Sequence, residues 1–198
     1  MNASARLKVG VLALQGAFSA HVECLLRVGA DASEVRTPGD LSVVDALVMP
    51  GGESSTMSQL LESSGLFPEI EGRIASGMPV FGTCAGMILL ASEVLDGRSD
   101  QRSFSAIDIS VRRNAFGRQV DSFESEIDAA VGRFHGVFIR APRIERTGAS
   151  VDVLGRLGDE PVLVRQGSVL AASFHPELAG DDRLHGYFVS TVISERNG

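Results

Sequence analysis

Cys84 stands between two glycines in FGTCAG, residues 81–86. The run before it, PVFGT (79–83), is apolar, and the run after it, AGMILLASEVL (85–95), has helical character. Glycine contributes little to a core strand and weakens a helix interior, so Gly82 and Gly86 point to a backbone that turns sharply. A strand ending at Thr83 and a helix starting near Ala85 project the Cys84 side chain above a sheet. That is a nucleophile elbow with a thiol in place of a hydroxyl. The helix N-terminus favours the thiolate, and the backbone N–H of Ala85 is placed to receive a developing oxyanion. Taken alone, G-x-C-x-G fits a buried structural cysteine as well. Cys24, mid-helix with no glycine beside it, reads as a packing or surface residue.

A thiol nucleophile needs a base, and the base needs an orienting group. AASFHPEL (171–178) offers both. His175 follows an apolar run and so sits at a strand end, where α/β folds place chemistry. An extended His-Pro-Glu puts the imidazole of His175 and the carboxylate of Glu177 on the same side. A surface His-Pro turn is the alternative. His21 and His185 fall within helices and His135 near the start of a strand; these three read as packed or solvated residues. VMPGGESST (48–56) is the third piece: a strand, Pro50, two glycines, then Ser54, Ser55 and Thr56 before a helix. Such a backbone nest suits an anion, and with no lysine in it an oxyanion suits it better than a phosphate. A plain turn with a serine helix cap also accounts for it.

The elements that would hold these residues alternate through the first half. KVGVLAL (8–14), ASEVR (32–36), VVDALVM (43–49) and PVFGT read as strands. Residues 17–29, 55–65, 66–77 and 85–95 read as helices. The pattern predicts a mostly parallel central sheet flanked by helices. From 104 to 174 strands dominate: FSAIDISV, RQVDSFESEI, FHGVFIRA, VDVLGRL, PVLVRQG and VLAASF. A closing helix covers 182–194. The expected fold is therefore α/β, with antiparallel or mixed strands added in the second half. With no linker and no repeat, residues 1–198 read as a single domain.

Composition narrows the partners. The 198 residues carry 25 acidic and 18 basic side chains, a net charge of −7, with the arginines scattered. That argues against nucleic acid or an anionic membrane surface as the main partner. Lys8 is the only lysine. Two cysteines make no disulfide framework and fit a reducing cytosol. No apolar run reaches the roughly 18–20 residues of a membrane span, so the chain is expected to be cytoplasmic.

Together, PGGES, FGTCAG and SFHPE, in that order, resemble the class I (triad) glutamine amidotransferases, whose fold is flavodoxin-like. LALQGAFSAH, PGGESSTM, FGTCAGMILLA, RRNAFGRQVDSFE, GVFIRAP and SFHPEL are similar to the glutaminase subunits of pyridoxal 5′-phosphate synthases, over nearly the whole chain. The resemblance implies a Cys84–His175–Glu177 triad that hydrolyses L-glutamine to glutamate and ammonia through a glutamyl thioester. It implies an oxyanion hole at Gly52 and Ala85, and glutamine held by Gly52, Glu53, Ser54, Arg113, Ile139 and Arg140. It implies no cofactor or metal, and a synthase subunit as the partner that receives the ammonia. That partner is expected to dock beside the first strand–helix loop, at Gln15, and to switch the site on. A capping role for Gln15 in the following helix is the plainer alternative. The 97–106 connection departs from the family in length and lacks its usual Leu-Gly pair, which leaves the loop's path open. Another cysteine hydrolase of the same fold and a non-catalytic regulatory subunit are the competing functions.

Overall fold

The computed structural model describes residues 6–113 and 122–196. Its strands are β1 (Lys8–Leu12), β2 (Asp31–Val35), β3 (Ala46–Met49), β4 (Val80–Thr83), β5 (Ala91–Val94), β6 (Ile107–Arg112), β7 (Ser122–Ala129), β8 (Gly132–Ile139), β9 (Arg143–Thr147), β10 (Asp152–Leu157), β11 (Glu160–Gln166) and β12 (Val169–Ala172). Helices are α1 (Phe18–Arg27), α2 (Pro38–Ser42), α3 (Ser54–Ser63), α4 (Leu66–Ala75), α5 (Ala85–Leu90) and α6 (Arg183–Arg196).

Nine strands form one sheet in the order β2-β1-β3-β4-β12-β11-β10-β7-β8. The first five are parallel, and the rest run antiparallel from β12 outward. The expected α/β sheet with added antiparallel strands is therefore what forms. A second, smaller sheet, β5-β6-β9, packs against β11 in the same apolar cluster.

Continuous apolar strands are needed because both faces of the parallel half are covered. In β3, Leu47 and Met49 join a cluster with Leu61, Phe67 and Met87 from α3, α4 and α5. Ala46 and Val48, one residue out of phase, join Leu25, Leu184 and Phe188 from α1 and α6 on the other face. Four neighbouring parallel strands, β1, β3, β4 and β12, thus end side by side, and their C-terminal loops carry Gln15, Gly51-Gly52, Cys84 and His175. Ligands bind at that edge of a parallel sheet.

Three expectations need correction. The helix expected over 85–95 stops at Leu90, and Ala91–Val94 is a strand. The carbonyls of Leu89 and Leu90 accept from the N–H groups of Phe104 and Ala106 at 2.7 and 2.8 Å, and β5 pairs in parallel with β6. The strand expected from residue 43 begins at Ala46, after α2, whose start is closed by a reciprocal Thr37–Asp40 capping box. β9 was missed, its alternation interrupted by charged residues. The 97–106 connection is anchored on α3 and α4: Arg102 lies 3.9 Å above the Phe67 ring and Phe104 stacks on it at 4.4 Å. Of RRNAFGRQVDSFE, residues 114–121 lie outside the described residues.

Candidate active site

The elbow is built as its glycines require. Cys84 has φ 50° and ψ −105°, a conformation that costs free energy and is held by its surroundings. Its N–H donates to the carbonyl of Ala172 at 2.8 Å, tying the turn to β12. A Cβ on Gly82 would lie 2.6 Å from Leu90 Cδ1 and 2.7 Å from the carbonyl carbon of Gly86. One on Gly86 would lie 2.0 Å from the carbonyl oxygen of Met49. Strand and helix can approach this closely only without those side chains. Although α5 has six residues, its first-turn N–H groups, Ala85 among them, remain unpaired as in any helix start, and they carry the anion-stabilising effect.

His175 follows β12, its N–H bound to the carbonyl of Val137 at 2.8 Å. Its Nδ1 meets Glu177 Oε1 at 2.7 Å. The expected pairing is present, but not through an extended segment: Pro176–Leu178 is a 3₁₀ turn. Glu177 has a fully buried side chain, so it belongs to the interior rather than to an open strand end. Burial opposes charging His175, but contact with the Cys84 sulfur and the Glu177 carboxylate outweighs it and pushes the imidazole up to about 10. Burial likewise opposes the Glu177 anion, yet the His175 hydrogen bond and the His21 ring 3.2 Å away hold its carboxyl far below the usual carboxylate range. The arrangement favours an imidazolium between an anion and a sulfur.

Cys84 and His175 open into a cavity of about 340 Å³, in the range of small-molecule sites. Gly52, Glu53, Ser54, Arg113, Ile139 and Arg140 also line it. Ala85, beside Cys84 at the head of α5, and Glu177, behind His175, are buried and place no side chain in the cavity wall. Gly51 lies between Cys84 and His175: a Cβ there would lie 2.4 Å from His175 Cε1 and 3.3 Å from Cys84 Cβ.

The polar wall is more interlocked than the residue types alone suggest. Glu53, rather than a serine, caps α3, accepting from the N–H groups of Ser55 and Thr56 at 3.2 and 2.7 Å. Despite some burial, these and the Thr56 hydroxyl bring its carboxyl down to about 2. Arg113 pairs with Glu53 at 3.3 Å and donates to Ser55 Oγ and Gln101 Oε1 at 2.9 and 3.0 Å. Arg140, at φ 43°, faces the same cavity and has no ion-pair partner among the described residues. Gln15 does not cap α1; its Oε1 accepts from the Glu53 N–H at 3.1 Å and so holds the Gly52–Glu53 segment.

Sequence reasoning missed His21, Gln101 and His185. His21 lies 3.2 Å from Glu177 Oε2 and 2.9 Å from His185 Nε2, both contacts fully buried. His21 stands among apolar residues at helical spacing, a pattern that shows burial but not what the ring touches. His135 is elsewhere, exposed between Glu124 and Glu126. Cys24 is buried, and burial together with Asp182 pushes its thiol up to about 12, which keeps it inert.

The profile of the SNO glutamine amidotransferase family matches residues 11–194. A pyridoxal 5′-phosphate synthase subunit PdxT from Salinispora arenicola is 57% identical over 192 residues, covering 93% of this chain and 96% of that protein. The subunit of the same name from Mycobacteroides abscessus is 56% identical over 186 residues, covering 93% and 96%. A crystal structure of a glutamine amidotransferase superposes with a TM-score of 0.88 at 52% identity, covering 93% of this chain and 98% of the other. A putative GMP synthase subunit from Thermoplasma acidophilum shares the fold, with a TM-score of 0.67 at 16% identity and coverage of 97% and 96%.

Proposed function

We infer the reaction from one premise: the chain belongs to the SNO glutamine amidotransferase family. It hydrolyses L-glutamine to L-glutamate and ammonia and supplies the ammonia to the synthase subunit of a pyridoxal 5′-phosphate synthase. The observation that carries this reading is Cys84, strained at its elbow, sharing one cavity with a His175 bound to Glu177.

The Cys84 thiolate attacks the side-chain amide carbon, and the carbonyl electron pair moves to oxygen, where the N–H groups of Gly52 and Ala85 receive it. The His175 imidazolium passes its proton to the amide nitrogen as the C–N bond breaks, and ammonia leaves. A γ-glutamyl thioester remains on Cys84. His175 then takes a proton from water, which attacks the thioester and expels glutamate, restoring the thiolate. Glu177 keeps the imidazole in one tautomer and stabilises its charged form. The triad and the backbone donors supply every group these steps use, so we assign no metal or organic cofactor.

Arg140 and Arg113 take the α-carboxylate side of glutamine, with Glu53, Ser54, Gly52 and the exposed Ile139 completing the pocket. We read residues 1–198 as one glutaminase domain acting in the cytoplasm. No described helix is long and apolar enough to cross a membrane. A regulatory subunit would have no use for the strain at Cys84, which argues against that alternative.

Glutamate formation measured alone and with saturating synthase subunit tests the reading. Release that rises on mixing is expected, since Gln15 holds the Gly52–Glu53 segment from a loop at the sheet edge. No release in either condition overturns the function; equal release in both removes only the activation by the partner.

A further inference from the structure

Behind the triad lies a buried polar chain to which the mechanism above assigns no task. Glu177 has two carboxylate oxygens and no exposure to water. Oε1 is taken by His175; Oε2 is buried with no hydrogen-bond partner among the described residues. His21 Nε2 lies 3.2 Å from Oε2 and 3.3 Å from Thr83 Oγ1. Thr83 directly precedes the nucleophile. His21 Nδ1 lies 2.9 Å from His185 Nε2, and His185 Nδ1 is buried with no partner.

These contacts favour one placement of the protons. If His21 Nδ1 donated to His185 Nε2, neutral His185 would carry its own proton on Nδ1, leaving a buried N–H with nothing to bond. Orphaned buried N–H groups are rarer than orphaned acceptors. His185 therefore donates from Nε2 to His21 Nδ1, and its bare Nδ1 is the unpartnered atom. Burial holds His185 down at about 3, in keeping with a neutral ring. His21 in turn carries its proton on Nε2, facing Glu177 Oε2 and Thr83 Oγ1. The chain has one polarity, every proton directed toward the triad carboxylate.

We propose that His21 is a positioning residue of the glutaminase: its Nε2–H, fixed by His185, anchors the second oxygen of Glu177 and thereby orients the imidazole of His175 toward Cys84. The proposal rests on the glutaminase reading. The far end of the chain is closed rather than open to a ligand. Cys24, Asp182 and His185 are near enough to share a metal ion, but the Arg27 guanidinium already fills that position, 2.7 and 2.9 Å from Asp182 and 3.2 Å from Cys24 Sγ. Without His21, Glu177 Oε2 would face the interior with neither water nor donor, and the carboxylate could rotate or take up a proton.

The test compares His21→Leu, His21→Gln and His21→Asn in complex with the synthase subunit. Two readouts are used: glutamine turnover and the rate at which iodoacetamide alkylates Cys84. Leucine removes the donor; glutamine replaces an N–H near the Nε2 position; asparagine places its amide one bond short. We expect His21→Leu to lower kcat about 10- to 100-fold, by analogy with the loss of a residue that orients a metal-bound histidine from behind. KM should stay within about twofold, and Cys84 alkylation should slow in parallel. Glutamine should recover most of both rates and asparagine should not. If His21→Leu fails to fold, the glutamine–asparagine contrast carries the test alone. Leucine within about threefold of wild type, or glutamine no better than asparagine, overturns the proposal. An inactive wild type would instead overturn the glutaminase reading.

Discussion

Replacing Glu177 by glutamine changes one atom type at the most buried point of the triad. The carboxylate stands between two nitrogens, His175 Nδ1 at 2.7 Å and His21 Nε2 at 3.2 Å, and offers each an acceptor. An amide has one acceptor and one donor, so one of these contacts becomes donor against donor. If the amide oxygen stays with His175, the hydrogen bond survives but its charge assistance is lost. A hydrogen bond to a charged group contributes about 1.5–3 kcal/mol, which corresponds to about 10- to 150-fold in kcat. KM should change little, because Glu177 does not reach the cavity wall. His175→Ala should cost more, since it removes the group that moves the protons. The same substitution has a pH signature. His175 binds its proton more tightly when folded, so its contribution to stability is complete below about 6.5 and fades as pH rises toward about 10. Glu177 is depressed on folding, so its contribution is present above about 4.5 and fades as pH falls below that. Wild type should therefore exceed Glu177→Gln in Tm most between about pH 4.5 and 6.5, with the gap narrowing on either side. A steady-state glutamate assay and thermal melts across pH check both halves. An unchanged kcat, or a Tm gap that ignores pH, would refute the electrostatic account of the pair.

Gly51→Ala should lower kcat by about 100-fold, because its Cβ would meet His175 Cε1 at 2.4 Å and displace the base by a fraction of its ring; kinetics on folded variant show it. Arg140→Met should raise KM about tenfold or more with kcat nearly unchanged, since the lost contact is charge-assisted binding. Arg113→Met should raise KM and also lower Tm, because Arg113 ties Glu53, Ser55 and Gln101 together. An electrophilic glutamine analogue should label Cys84 and spare Cys24, whose thiol is held up at about 12, and Cys24→Ala should leave turnover intact; peptide mapping and turnover decide both.

That Cys84, His175 and the glycine loop between them come together was legible because each sits where backbone demands leave a trace. Gly82 and Gly86 mark a close approach, and an apolar strand ending at His175 marks the sheet edge. Contacts between remote side chains leave no such trace. Nothing near Glu53 in the chain announces that it pairs with Arg113, 60 positions on, or that Gln15 holds its N–H. His21 reads as one more buried position on α1, and only the fold brings it to Glu177. The α5–β5 boundary was illegible for a related reason: Ala91–Val94 continues the helical pattern, and a strand 16 positions later decides otherwise.

The claim on which all else depends is that glutamine acylates Cys84. Acid-quenched turnover in the presence of the synthase subunit, followed by peptide mapping, tests it most directly. A γ-glutamyl adduct should appear on the peptide containing Cys84, labile to hydroxylamine as a thioester is, and should vanish in Cys84→Ala together with glutamate formation. Glutamate still formed at the wild-type rate by Cys84→Ala would contradict the account.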